Sequence, residues 1–209
     1  MVQNKKIPDS AQPGPEKQIL IAAKEVFLEK GFDGARMQEI ADKAGLNKAL
    51  LHYYYRSKEK LYRVIVKDIM DQFFPVVFGV FDETGSLSDK ITRFFDLYIG
   101  FLLDNPLVPQ FIIAEIVRKP EMLMEFFSGP MESGVILQLS ELIDECVRKG
   151  EMRPIPTEEF LMNLISLSVF PIIAKPILMN FLEKDDKEYN ELINERKRVT
   201  ADFFIRAIK

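Results

Sequence analysis

Residues 37–55 read MQEIADKAGLNKALLHYYY, and this stretch decides the fold of the chain. Ile40 and Ala44 are one helical turn apart and share a face, while Gly45 can adopt the positive φ that most residues resist. Leu51 is placed to anchor a second short helix from beneath. The pattern predicts two helices that cross through a tight turn, the helix-turn-helix, whose second helix can enter a DNA major groove.

Charge is distributed unevenly along the 209 residues. The whole chain carries 28 Lys and Arg against 32 Asp and Glu, a net charge of −4. Residues 1–63 hold 12 of the basic and 8 of the acidic residues, net +4, which leaves 16 basic and 24 acidic residues, net −8, in the remainder. A basic head on an acidic body is expected when a DNA-reading module is joined to a module of another kind.

Several classes of protein lack support in the sequence. Cys146 is the one cysteine, so an internal disulfide is excluded and a thiolate metal cluster is implausible. His52 is the one histidine, and no nucleophile elbow, phosphate-binding glycine loop or zinc-protease spacing accompanies it. We therefore predict no enzyme activity, no catalytic residue, no metal and no cofactor.

The N-terminal segment is polar and rich in proline, with no apolar stretch typical of a secretion signal. We expect residues 1–15 to be a disordered arm and the protein to be cytoplasmic. Residues 16–57 are predicted to form the helix-turn-helix domain, and residues 58–209 a larger helical domain. Gly31 is expected to end the first helix in the left-handed conformation that a C-terminal cap prefers.

Apolar periods of three and four residues predict helices throughout the body of the chain. Gly129 and Pro130 are expected to break the chain between two of these helices. The fold class is therefore predicted to be all-α, with about nine helices in total.

A long helix that is apolar on nearly every side is predicted from Thr157, with bends at Pro171 and Pro176. It fails as a membrane span because Lys175 interrupts it and residues 160–174 are fewer than the roughly 20 required. A helix that is apolar all round is most simply buried against a second subunit.

The segment from 18 to 69, with ILIAAKEVFLEKGF and MQEIADKAGLNKALLHYYYRSKEKL, resembles the DNA-binding domain of the TetR family of transcriptional regulators. The resemblance covers about a third of the chain, and so long a motif is far more specific than a bare helix-turn-helix match. It implies an all-helical homodimer with a three-helix head and a C-terminal domain that binds a small, often apolar effector. In that family, effector binding spreads the two heads and releases the operator.

The resemblance also implies a set of DNA-facing residues. Asn47 stands where a small capping residue is usual, and Leu50 departs from the family's hydroxyl, so it either makes an apolar contact or turns inward. Lys48 can reach a guanine edge or a phosphate. The full set of predicted DNA-binding residues is Arg36, Gln38, Asn47, Lys48, Ala49, Leu50, His52, Tyr53 and Lys58.

Phenylalanine and methionine are abundant in the body and could line an adaptable effector cavity, because thioethers repack easily. A plain core of helix contacts explains any one of them equally well, and the resemblance favours the cavity. The predicted ligand-binding residues are Phe94, Phe95, Tyr98, Phe111, Met122, Met124, Phe126, Phe127 and Met131.

The last two predicted helices, paired with their symmetry mates, would form the four-helix dimer contact that the family implies. The predicted interface residues are Leu167, Phe170, Ile173, Ile177, Leu192, Val199 and Phe203.

The leading hypothesis is a dimeric, effector-responsive regulator that binds double-stranded operator DNA, most often a repressor in this family. A helical carrier or sensor of apolar small molecules, in which the helix-turn-helix is only a packing unit, is the alternative. Salt-sensitive binding to duplex DNA distinguishes the two. An enzyme acting in the Phe/Met cavity is the weakest hypothesis.

Overall fold

The computed structural model describes residues 13–82, 84–118, 120–132 and 134–209. Every regular element within these ranges is an α-helix, which confirms the predicted all-α class. The described residues form eleven helices, so the prediction of about nine was low. Residues 1–12 of the predicted arm lie outside the described residues, and Pro15 is already the first residue of the first helix.

The chain divides into two compact units, and the boundary lies between Val66 and Lys67. This division falls within α4, nine residues after the domain boundary predicted at 57/58. The functional boundary remains a prediction.

The first unit contains three short helices and the start of a long one. They are α1 (Pro15–Gly34), α2 (Met37–Lys43), α3 (Lys48–Tyr54) and α4 (Lys58–Asp82). Its core consists of fully buried apolar side chains, which include Ile19, Val26, Phe27, Ile40, Ala41, Leu51 and Leu61. The Tyr62 ring meets Phe27 and Phe32 edge-on, with centroids 5.1 and 5.0 Å apart.

Gly31 differs in detail from its predicted role. Its φ is +66°, as expected, but its ψ is −177°, so the residue is not in the left-handed helical conformation. This combination is open essentially to glycine alone. The helix resumes after Gly31 and ends at Gly34, whereas the prediction ended it at Gly31.

The second unit contains the remaining helices. They are α5 (Leu87–Asp104), α6 (Leu107–Arg118), α7 (Pro120–Glu132), α8 (Val135–Arg148), α9 (Thr157–Ile173), α10 (Lys175–Phe181) and α11 (Asp186–Ile208). α5 packs against α9 and α11, and an aromatic cluster that includes Phe94, Phe95, Phe160 and Phe204 fills the space between them. Ser86 and Asp89 form a capping box at the start of α5.

The predicted break at Gly129 and Pro130 was wrong, because the backbone of α7 stays helical as far as Glu132. Proline has a φ close to that of a helix and removes only one hydrogen bond near the end of α7. The next helix starts after Gly134, whose φ of +75° turns the chain.

The predicted long helix from Thr157 is two helices, α9 and α10, which meet at Ala174 with a bend of 72°. Pro171 has no N–H to donate to the Leu167 carbonyl one turn earlier. The Arg196 guanidinium of α11 donates to that oxygen instead, at 3.4 Å, and the Tyr189 hydroxyl donates to the Pro171 carbonyl at 2.8 Å. α11 therefore satisfies carbonyls near the end of α9. No single helix among the described residues is long and apolar enough to cross a membrane.

Candidate nucleic-acid interface

The turn between α2 and α3 is built from backbone hydrogen bonds that require a glycine. The Gly45 N–H donates to the Asp42 carbonyl at 3.1 Å, and the Leu46 N–H donates to the Ala41 carbonyl at 3.0 Å. This is the Schellman pattern, and Gly45 adopts the positive φ that it needs, +69°. The predicted tight turn is confirmed, and the fully buried Ala41 is the small residue that such a crossing requires.

Asn47 begins α3 as predicted. Its side-chain oxygen accepts a hydrogen bond from the Leu50 N–H at 2.8 Å, which satisfies one of the N–H groups left open at a helix start. Leu51 is completely buried and fixes the opposite face of the helix. The Asn47 cap and the buried Leu51 therefore fix the orientation of α3, and with it the face that points to solvent.

The exposed surface of α3 is cationic and aromatic. Lys48, Ala49, His52 and Tyr53 are exposed, with Tyr53 at 79%, and Leu50 is half-buried. This half-buried position lies between the two alternatives predicted for Leu50. The Tyr53 and Tyr54 rings meet edge-on at 5.4 Å, so the aromatic surface extends along the helix.

Acidic side chains pair with two lysines of the first unit that lie outside α3. Lys43 lies 2.7 Å from Glu25, and Lys30 pairs with Glu39. The hydrogen bond to Glu25 raises the pKa of Lys43. In contrast, no carboxylate of the described residues pairs with Lys48, which starts α3, with Arg56 and Lys60, which follow it, or with Arg36 at the start of α2. α3 itself contains no acidic residue.

The other predicted DNA-binding residues lie in different settings. Arg36 occupies the cap position of α2, its side chain makes no capping hydrogen bond, and the residue is exposed. Gln38 is exposed but its amide donates to Asp42 at 2.8 Å. Contact of either residue with DNA remains a prediction.

Lys58 has partners within its own chain, which the sequence pattern did not indicate. Its ammonium donates to the Ala35 carbonyl at 3.1 Å and approaches the Asp33 carbonyl at 3.5 Å. It also lies 4.5 Å from the centroid of the Phe32 ring, in cation–π geometry. Lys58 therefore ties the start of α4 to the end of α1 and to Ala35 just after it.

Replacing Lys58 by Met is expected to lower the free energy of unfolding by about 1–2 kcal/mol, because the carbonyl contacts and the cation–π contact are lost. If this is its main role, the salt dependence of DNA binding stays unchanged. The Lys60→Met variant removes an exposed neighbouring charge and should leave stability unaltered. Urea denaturation checks stability, and a salt titration of DNA affinity checks the charge. Unchanged stability with a shallower salt slope would instead make Lys58 a phosphate contact.

Tyr55 is the buried residue that follows the last turn of α3. Its side chain is 9% exposed, and its hydroxyl donates to Glu16 Oε1 of α1 at 3.2 Å. Burial, together with the neighbouring Glu16 carboxylate, raises the pKa of Tyr55 from 10.0 to about 12. The end of α3 is thereby joined to the start of α1 through a neutral phenol.

Because the pKa of Tyr55 is raised in the folded chain, the free energy of unfolding should depend on pH in the alkaline range. Below pH 10 the phenol is protonated in both states, so its stabilising contribution is complete. Between pH 10 and about 12 the unfolded phenol ionises first, and stability falls as the pH rises. We expect the urea midpoint of Tyr55→Phe, followed by circular dichroism, to fall less over this interval than that of the unaltered chain. Tyr54→Phe, which changes an exposed phenol, should show the full decline.

The predicted ligand-binding residues differ in how deeply they are buried. Phe94, Phe95, Tyr98 and Phe111 are buried, and the Phe94 ring packs 5.5 Å from Phe95 and 5.3 Å from Tyr98. Burial raises the pKa of Tyr98. Met122, Phe126 and Phe127 are half-buried, Met124 is exposed, and the side chain of Met131 lies outside the described residues. The effector role of this set remains a prediction.

The predicted dimer residues lie on α9, α10 and α11. Phe170, Ile177, Val199 and Phe203 are exposed, and Leu167, Ile173 and Leu192 are half-buried. Phe170, Leu192 and Val199 also line an apolar groove of about 340 Å³. The sequence did not indicate this groove, because it forms where three helices meet.

A family model described as "Bacterial regulatory proteins, tetR family" matches residues 19–65. The HTH-type transcriptional regulator RutR of Escherichia coli O157:H7 is 30% identical over 149 residues, which cover 71% of this chain and 69% of RutR. This relative is named as a transcriptional regulator.

Solved structures show the same fold at low identity. The TetR family transcriptional regulator PfmR of Thermus thermophilus is 19% identical, with a TM-score of 0.66 over 90% of this chain and 97% of PfmR. The regulator FadR of Bacillus subtilis, solved in complex with stearoyl-CoA, is 17% identical, with a TM-score of 0.59 over 93% of this chain and all of FadR.

Proposed function

The chain belongs to the TetR family of bacterial transcriptional regulators, and we propose that it is an effector-responsive repressor that binds operator DNA as a homodimer. The observation that carries the proposal is the exposed face of α3. It presents Lys48, His52 and Tyr53 to solvent on a helix that is capped at its start and anchored by Leu51.

This face has the chemistry that duplex DNA requires. Lys48 is the first residue of α3, so it projects where the N-terminal residues of a recognition helix meet base edges. The phenol of Tyr53 and the imidazole of His52 can donate to phosphate oxygens. Arg56 and Lys60 follow α3 and add positive charge without a described acidic partner.

The homodimer is supported by the apolar surface of α9–α11. Phe170 and Phe203 are 63% and 62% exposed, which is costly for a monomer, and a second copy of the same surface would cover them. A two-fold dimer also presents two copies of α3, as a palindromic operator requires.

Control by an effector is supported by a cavity in the second unit, lined by residues of α5, α9, α10 and α11, and by the stearoyl-CoA complex of FadR. A ligand that binds better to the conformation with low DNA affinity would shift the protein away from its operator. The effector is proposed to be small and largely apolar, because apolar side chains dominate the walls of this cavity.

The proposal is tested by selecting bound sequences from a random duplex pool with the full-length protein. A palindromic consensus bound in a salt-sensitive manner is expected, and compounds that dissociate the complex are then screened by fluorescence anisotropy. A protein that binds apolar compounds but no duplex at low salt would be a carrier, and the proposal would be rejected. A consensus that binds more tightly when the effector is added would contradict release by the effector.

A further inference from the structure

A second cavity, of about 310 Å³, lies where three parts of the second unit meet. They are the turn between α5 and α6, the bend between α9 and α10, and the start of α11. Its apolar wall includes Leu102, Leu103, Ile172 and Ile193, and Lys175, Asp186 and Asn190 supply its polar side. The predicted Phe/Met ligand residues do not line it.

Lys175 is the charged centre of this cavity, and its charge is already balanced. Its Nζ lies 2.7 Å from Asp186 Oδ1 and donates to Asn190 Oδ1 at 3.0 Å. It also lies 6.0 Å from the Tyr189 ring centroid. The hydrogen bond from Lys175 lowers the pKa of Asp186, so that carboxylate is ionised at neutral pH. An ammonium has three hydrogens, and these contacts occupy two, which leaves one donor for a ligand.

The balance of charge selects the kind of ligand. A carboxylate ligand would bring a second negative charge next to Asp186, and a cationic ligand would face the ammonium of Lys175. An uncharged molecule with a carbonyl oxygen can accept the remaining hydrogen without disturbing the ion pair. Its hydrocarbon part would then lie against Leu102, Ile172 and Ile193.

We propose that this cavity is a binding site for a small, uncharged, carbonyl-bearing organic molecule, held by Lys175 at its oxygen and by the apolar wall at its hydrocarbon part. The volume is at the lower end of the roughly 300–1,000 Å³ typical of ligand pockets, which limits the ligand to a compact molecule. Ile172 and Lys175 stand on either side of the bend at Ala174, so a ligand here touches both α9 and α10.

Cyclohexanone is a suitable probe, because it combines one carbonyl oxygen with a compact ring. The full-length protein is labelled at isoleucine methyl groups and titrated with cyclohexanone by NMR. The resonances of Ile172 and Ile193 are expected to shift in a saturable manner, while that of Ile40, in the other unit, stays in place. Cyclohexanecarboxylate and cyclohexylamine are expected to bind at least tenfold more weakly. A titration without saturable shifts, or tighter binding of either charged compound, would overturn the proposal.

Two variants locate the ligand. Lys175→Met should weaken cyclohexanone binding roughly tenfold, because a hydrogen bond from a charged donor is lost. The matched control is Lys187→Met, which removes an 85% exposed lysine of α11 outside the cavity wall and should bind normally. Gln110→Trp fills the cavity from an exposed position, so it should block binding even if Lys175→Met perturbs α10. Unchanged affinity in Gln110→Trp would overturn the proposed location. This proposal rests on the effector-binding part of the proposed function, but DNA affinity plays no part in its test, so its failure would leave DNA recognition by α3 standing.

Discussion

Lys48→Ala is expected to weaken operator binding roughly tenfold for each bound protomer. Lys48 is exposed at the first turn of α3, and no described acid neutralises it, so its charge is fully available to DNA. If it contacts a phosphate, the slope of log affinity against log salt should fall by about 0.9 per protomer, uniformly across sequences. If it reads a guanine edge, the slope changes little and discrimination at one operator position is lost. Fluorescence anisotropy on the selected operator and on single-base variants separates these outcomes.

The matched control for this variant is Lys17→Ala, which removes one exposed lysine from α1 of the same unit. It should bind the operator with nearly normal affinity. Equal affinities and equal salt slopes for Lys48→Ala and the unaltered protein would contradict the assignment of α3 as the recognition helix. Equal losses in both variants would instead indicate a general charge effect of the head.

The features predicted correctly from the sequence are those decided by nearby residues. Gly45 adopts a positive φ because the turn after α2 needs it, and the residues that complete this turn lie within five positions. Asn47 caps α3 through the Leu50 N–H three residues later. Such contacts depend on spacing alone, so the residue pattern contains the necessary information.

The features that the sequence did not indicate depend on residues far apart in the chain. Lys58 donates to a carbonyl 23 residues earlier, so a lysine that the family resemblance assigned to phosphate also holds the chain together. The Leu167 carbonyl left open by Pro171 is satisfied by Arg196, 29 residues later. Periodicity identifies which face of a helix is apolar, but not which helix covers it. Cavities share this limitation, because their walls come from several helices at once.

Phe203→Asp is expected to convert the protein to a monomer and to reduce operator affinity by at least about 100-fold. Phe203 is 62% exposed on α11, so the change adds a charge to an exposed position and should leave the fold intact. In a dimer the same carboxylate would be buried against apolar surface, which costs several kcal/mol. Each head would then bind its half-site alone. Sedimentation gives the oligomeric state, and circular dichroism checks that the helices remain.

Val117→Asp is the control that distinguishes a specific interface from a general effect of added charge. Val117 is 78% exposed on α6, outside the predicted α9–α11 surface, so this variant should stay dimeric and bind the operator normally. If Val117→Asp were a monomer and Phe203→Asp remained a dimer, the dimer interface would have to be assigned to α6 instead. A Phe203→Asp monomer that still bound the full operator tightly would show that pairing and DNA recognition are independent. That result would contradict the proposal that two-fold symmetry sets the spacing of the two recognition helices.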